Sequence, residues 1–371
     1  MTAPLLLLAV PIILAIIFFP LRRWPQVAGP VAAVVVWLFA ILLGGIDLDP
    51  GAAGGDALIS GDAWRVFGLA FTLSERAQLL LVGCYALLGV IFLLSAFYSQ
   101  STIFVALSLA VLSPLSGALM VEPFVYGAVL LLIAAAGLAI LIQGSRAGST
   151  LAALRNLSLT ALALPLLLGA GWMIESDQFR FLDTITLMIV VAILLLLASF
   201  PFQIWVAPVV GESSSLVPAV VFGIAQLLVV VYCLDLLVEQ PFVYGSSQFQ
   251  GVVRGSAAAT LILGSMLAIT ARSFGHLLGY ILLISVGTAG AVLGSGGAAV
   301  VQVTITLMLL RVVSLVIAGA GLAMIRPRAD AVEGGVNQFA ANQGLAWRTP
   351  LAMGLFVFGC LSLAGLPLTP G

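Results

Sequence analysis

The chain has 371 residues, of which 63% are hydrophobic and 7% charged, with a formal net charge of −1. A soluble domain carries about one quarter charged residues, so a soluble globular fold is excluded, and the near-zero charge leaves no basic surface for nucleic acid. All thirteen basic side chains are Arg: there is no Lys, and His276 is the single histidine.

Twelve apolar segments follow in order, at 3–20, 26–45, 77–98, 101–120, 122–143, 151–173, 184–206, 215–238, 254–272, 276–294, 298–324 and 349–366. Most approach about 17–25 residues, the length that crosses a hydrocarbon core roughly 30 Å thick. The expected fold class is an all-α polytopic membrane protein of about 12 transmembrane helices. The runs are continuous rather than alternating, which excludes a transmembrane barrel. No basic residue precedes the first run, so it reads as an uncleaved span rather than a secretory signal. The longest connection, 46–76, holds Asp47, Asp49, Asp56 and Asp62 among glycines; the next, 325–348, holds Arg326, Arg328, Asp330 and Glu333. Neither is long and polar enough to form a soluble domain. Cys84, Cys233 and Cys360 lie in separate apolar runs, a spacing that suits buried core residues and no metal site.

The charges sort by side. Connections after odd-numbered spans carry Arg22, Arg23, Arg146, Arg155, Arg272, Arg326, Arg328 and Arg348. Those after even-numbered spans carry Arg65, Arg76, Arg180 and Arg254, together with most of the acids, including Glu175, Asp177, Asp183, Asp235 and Glu239. The positive-inside rule then puts the odd connections in the cytoplasm and the N-terminus outside.

Two spans contain breakers. The seventh holds Ser199-Phe200-Pro201-Phe202 and then Pro208; the last ends in Gly365-Leu366-Pro367-Leu368-Thr369-Pro370-Gly371. Proline removes a backbone donor and clashes with the preceding turn. At membrane depth a break survives where protein covers it or where it lines a wet cavity, and such breaks often mark ion paths. An ordinary proline kink is the other reading.

Four stretches carry a resemblance. They are Phe200-Pro-Phe-Gln-Ile-Trp205 with Gly211-Glu-Ser-Ser-Ser215 and Pro218; residues 272–287 with Gly279-Tyr280 and Ser285-Val286-Gly287; Leu310-Arg311 through Gly319; and Ser362-Leu-Ala-Gly-Leu-Pro367. Together and in this order they resemble the antiporter-like membrane subunits of respiratory complex I, a family that includes subunits of Mrp-type antiporters and membrane-bound hydrogenases. The resemblance implies one integral membrane domain, with N-terminal helices over 1–120 and antiporter-like repeats over 122–273 and 274–371, the second truncated. It implies broken helices near Pro201 and Pro367, and a buried relay of a glutamate followed by lysines and histidines. Desolvation lowers the pKa of a buried lysine and a nearby carboxylate raises it, so moving the carboxylate would switch the lysine between holding and releasing a proton.

Residue by residue, the relay is depleted. Glu122 matches the fifth-span glutamate, although before Pro123 it also suits a helix N-terminus. Leu196 and Gln226 stand where the seventh- and eighth-span lysines belong, Gln203 and Ser285 where histidines belong, and Arg311 where the eleventh-span lysine belongs. Arg keeps the charge but releases no proton. Its mid-span charge needs a partner, and Glu122 is the one acid at comparable depth in the sequence. The proton-path candidates are thus Glu122, Gln203, Gln226, Ser285 and Arg311. His276 reads as interfacial, and Gln302, Thr304 and Thr306, like Gln203 and Gln226, as able to bond between helices or to order water.

No Cys cluster, histidine pair or phosphate-binding glycine loop is present, so no cofactor or metal is expected on this chain. Any oxidoreductase activity would belong to partner chains. The resemblance implies a multi-pass subunit of a bacterial-type cytoplasmic (inner) membrane. It would sit in the membrane arm of a complex I-like proton-translocating assembly, as a reduced proton conduit or a scaffold, surrounded by lipids and other membrane subunits. The alternatives are a free-standing cation/proton antiporter and a non-conducting structural subunit. Because Gly371 falls inside the expected twelfth-span break, either another subunit against residues 360–371 or further sequence is expected there.

Overall fold

The computed structural model describes residues 2–46, 63–66, 68–98, 100–144, 150–176, 179–297, 299–329 and 344–366. The chain divides into two compact units, one of residues 1–97 and 102–141, the other of residues 98–101 and 142–371. Among the described residues, nine helices are long and apolar enough to cross a membrane, and three shorter apolar helices bring the count to the expected twelve.

The first unit contains α1 (Ala3–Phe18), α2 (Pro25–Gly44), α3 (Glu75–Ser95), α4 (Phe104–Ala118) and α5 (Gly127–Gln143). α1 packs along α4 and α2 along α3. The Ser74 side chain caps α3 by accepting from the Ala77 amide at 3.2 Å, satisfying one orphan donor of the first turn. Gln78, one turn further along α3, ties the same end of the pair together. Its Nε2 donates to the carbonyls of Leu43 and Ile46 at 2.7 and 2.8 Å, at the end of α2 where helical donors run out. The Trp37 indole donates to the Ala86 carbonyl at 3.0 Å.

A three-stranded sheet joins two connections of this unit. β1 (Trp64–Val66) and β2 (Leu69–Phe71) form an antiparallel hairpin, and β3 (Val121–Glu122) pairs with β2 so that Ala70 faces Glu122 and Phe71 faces Val121. Gly68, at φ 80° in the hairpin turn, supplies the left-handed conformation that residues with a Cβ resist. The hairpin lies inside the 46–76 connection, and β3 occupies the expected start of the fifth span, so α5 begins at Gly127.

The second unit contains α6 (Thr150–Glu175), α7 (Leu182–Leu197), α8 (Val206–Glu212), a π-helical turn (Ala219–Ala225) leading into α9 (Gln226–Glu239), α10 (Pro241–Tyr244), α11 (Ser247–Ile269), α12 (Phe274–Ser295), α13 (Val300–Ala329) and α14 (Pro350–Leu363). α6 packs along α7, α11 along α12, α13 along α14, and α8 against α12. Its core is built on the turn before α9: Val220, Phe222 and Ile224 are buried. Outward faces keep large apolar side chains exposed, Leu162, Ile262 and Ile269 here and Leu38, Ile41 and Leu79 in the first unit. Apolar faces of this extent suit a lipid surround. Cys84, Cys233 and Cys360 are free and buried, as expected of core residues.

Candidate functional site at the broken helix

α7 ends at Ala198, which is fully buried and left-handed at φ 55°, a conformation costing about 1–2 kcal/mol for a residue with a Cβ. The last turn closes with the amides of Ala198 and Ser199 on the carbonyls of Leu195 and Leu194, at 3.3 and 3.1 Å. A 3₁₀ turn over Gln203–Trp205 then opens α8. Pro201 lies in the break itself. Pro208 does not break a helix: it is the third residue of α8, in the first turn, where a missing N–H costs nothing. Pro367 lies outside the described residues.

Backbone groups released by the break find side-chain partners, as burial requires. Phe200 N donates to Thr260 Oγ1 at 2.9 Å, and Phe200 O accepts from Ser256 Oγ at 2.6 Å. Both hydroxyls stand one turn apart on α11. At the α7 terminus, the Leu197 carbonyl accepts from Gln226 Nε2 at 2.8 Å. Gln226 Oε1 in turn accepts from Arg311 Nη2 at 2.8 Å. Thus α7, α9 and α13 are linked through one amide and one guanidinium. Arg311 is 3% exposed and Gln226 7%. Arg311 Nη1 approaches Met308 Sδ at 3.5 Å, and its Nε is buried with no hydrogen-bond partner among the described residues.

The stretches singled out in the sequence converge on this break. Trp205 stacks on Phe222 of the π-helical turn, ring centroids 5.2 Å apart. Gly279 of α12 lets α8 approach so closely that a Cβ would sit 2.7 Å from Ala207 Cα, and a Cβ on Gly319 of α13 would sit 2.8 Å from the Ser215 carbonyl. Ser362 of α14 meets Ser314 of α13, hydroxyl to hydroxyl, at 2.6 Å. Between α12, α13 and α14 lies a cavity of about 270 Å³, lined by Ser285, Thr288, Leu307, Arg311, Ser362, Leu363 and Gly365.

Of the proton-path candidates, Gln226, Ser285 and Arg311 thus surround one region. Gln203 stands on the 3₁₀ turn, its carboxamide oxygen buried without a hydrogen-bond partner among the described residues. Leu196, at the expected lysine position, is buried and apolar. Glu122 differs from expectation. It is an exposed strand residue of the first unit rather than a helical one, and accepts from Thr72 Oγ1 at 2.5 Å. Its pairing with Ala70 takes Glu122 out of the expected fifth helix, and each of Glu122 and Arg311 has a partner other than the one sequence depth suggested. His276 lies in the first turn of α12, its Nδ1 2.8 Å from Ser273 Oγ. Thr306 bonds within its own helix, to the Gln302 carbonyl, and not across to a neighbour. Ser256, Thr260, Thr288 and Ser314 were not singled out in the sequence; the Ser256/Thr260 spacing of four residues in an apolar run was the available signal.

Residues 124–371 match the family described as NADH:quinone oxidoreductase/Mrp antiporter, TM. The NADH-quinone oxidoreductase subunit N of Psychrobacter arcticus is 26% identical over 176 residues, 47% of this chain and 35% of that protein, so the match spans about a third of that relative's length. Among solved structures, a chain of the Mrp complex from Dietzia sp. DQ12-45-1b superposes with a TM-score of 0.71 at 17% identity, over 97% of this chain and 43% of that one. A chain of the membrane-bound sulfane sulfur reductase, an archaeal respiratory membrane complex, gives 0.71 at 16% identity, over 98% and 78%. A chain of respiratory complex I from Thermus thermophilus with bound NADH gives 0.61 at 17%, over 95% and 85%. At these identities the likeness is one of fold. With the family match covering more than half of a polytopic helical chain, the protein belongs to the NADH:quinone oxidoreductase/Mrp antiporter transmembrane family.

Proposed function

We propose that this chain is a membrane-arm subunit of a multi-subunit, complex I- or Mrp-like assembly in a bacterial-type cytoplasmic membrane, and that its antiporter-like core serves as a scaffold around a fixed positive charge. The observation that carries the reading is the bond from Arg311 through Gln226 to the Leu197 carbonyl. A relay station must take up and release protons, and a guanidinium does neither. Gln226, Leu196 and Ser285 offer no group that titrates. Tied through the Gln226 amide to the end of α7, the charge is suited to fixing α7, α9 and α13 relative to one another. The partners are other membrane subunits, and redox chemistry is theirs.

The test uses the assembly that co-purifies with the chain, reconstituted in liposomes, with proton flux followed by a pH-sensitive dye. Glu122→Gln is expected to leave flux within about twofold of wild type, since one factor of ten corresponds to about 1.4 kcal/mol in a barrier. Loss of flux with subunit composition and electron transfer intact would overturn the scaffold reading in favour of a reduced conduit. Cation/proton exchange by the purified chain alone would instead establish a free-standing antiporter.

A further inference from the structure

We propose that the cavity between α12, α13 and α14 is a binding site for a small inorganic monovalent anion of chloride size. Arg311 carries a full positive charge while 3% exposed, and a charge at that depth costs several kcal/mol unless paired or hydrated. Among the described residues its partners are a neutral amide oxygen and a thioether. Neither neutralises it, and its Nε has no hydrogen-bond partner among the described residues. The guanidinium borders the 270 Å³ cavity, whose other lining residues among those described include no acid.

The hydroxyls around the cavity divide into committed and free donors. Thr288 Oγ1 gives its proton to the Ser285 carbonyl. Ser314 Oγ gives its proton to the Leu310 carbonyl, which makes Ser362 the donor in the Ser362–Ser314 pair. The Ser285 hydroxyl keeps its proton uncommitted among the described residues. Among the described residues, the groups able to donate into the cavity are therefore the guanidinium and Ser285, a set suited to an anion. A water occupies roughly 30 Å³, so the space holds an anion with part of its hydration shell, and hydrogen bonds with an ionised member are the strong ones. The inference is independent of whether the assembly moves protons through this chain.

The experiment takes the full chain, in detergent with the subunits that accompany it, and follows thermal unfolding against sodium chloride at constant ionic strength made up with sodium gluconate. An anion bound by the folded state alone raises the midpoint, by about 2–4 °C at saturation for a site of this kind. Ser285→Ala removes one donor and leaves Arg311 in place, and is expected to move the half-saturating chloride concentration about tenfold upward. Arg311→Gln is expected to abolish the response. Bromide soaked into crystals of the same preparation is expected to give an anomalous peak beside Arg311. Equal midpoints in chloride and gluconate, a half-saturating concentration unmoved in Ser285→Ala, or a bromide-free cavity would each overturn the proposal, leaving water or a carboxylate from another chain as the occupant.

Discussion

Arg311, Gln226 and the Leu197 carbonyl form a series in which each member satisfies the next. A buried donor or acceptor left without a partner costs about 1–3 kcal/mol, whereas replacing both partners with apolar groups is close to neutral. Gln226→Leu strands Arg311 Nη2 and the Leu197 carbonyl together, so it is expected to destabilise by about 3–5 kcal/mol, the cost of breaking a buried charged contact from one side. Arg311→Met removes the charge, strands one amide oxygen and is expected to cost less. The double variant should therefore be more stable than the sum of the two single effects implies, a coupling of about 0.5–3 kcal/mol. Thermal unfolding in detergent measures all three, and strict additivity would refute the series. The sequence made Gln226 and Arg311 separately visible as polar residues in apolar spans. Their bond was not legible, because it joins positions 85 residues apart and depends on where three helices meet.

The broken helix shows what hydropathy captures and what it misses. A continuous apolar run reports length, and Pro201 reports the missing donor, so twelve spans and the break were both readable. Hydropathy is blind to where backbone bonds go. Val121 is apolar and Glu122 directly precedes the apolar run that follows, yet both pair with β2, and the three-residue strands of the hairpin are too short to show alternation. The clamp on Phe200 is likewise silent, since one serine and one threonine barely alter an apolar window. Thr260→Val keeps the shape of the side chain but removes the acceptor for Phe200 N and the donor to the Ser256 carbonyl. It is expected to loosen the break locally by about 1–3 kcal/mol. Hydrogen exchange read by mass spectrometry should show faster exchange across residues 198–205, with α12 and α13 unaffected. Exchange that rises evenly over the whole unit would mean that the clamp is not local.

For the whole molecule, the arginine distribution and the small sheet bear on the same question from different directions. Alternating spans require the connections after the second and fourth helices to lie on one side. Within the first unit the sheet joins these two, β1 and β2 coming from one and β3 from the other. The sheet therefore supports the alternation without fixing which side is which. The absolute orientation rests on eight arginines in odd connections against four in even ones, a bias that selects the cytoplasmic side. Single cysteines decide it. Cys84, Cys233 and Cys360 are buried, so serving as a silent background they should react slowly. Cysteine placed at Arg65, exposed on β1, is expected to react in intact cells with a membrane-impermeant maleimide. Cysteine at Arg155 or Arg272, both exposed after odd-numbered spans, is expected to react after permeabilisation only. The reverse pattern would invert the orientation, and reaction of all three in intact cells would contradict the alternation that the sheet and the span count jointly require.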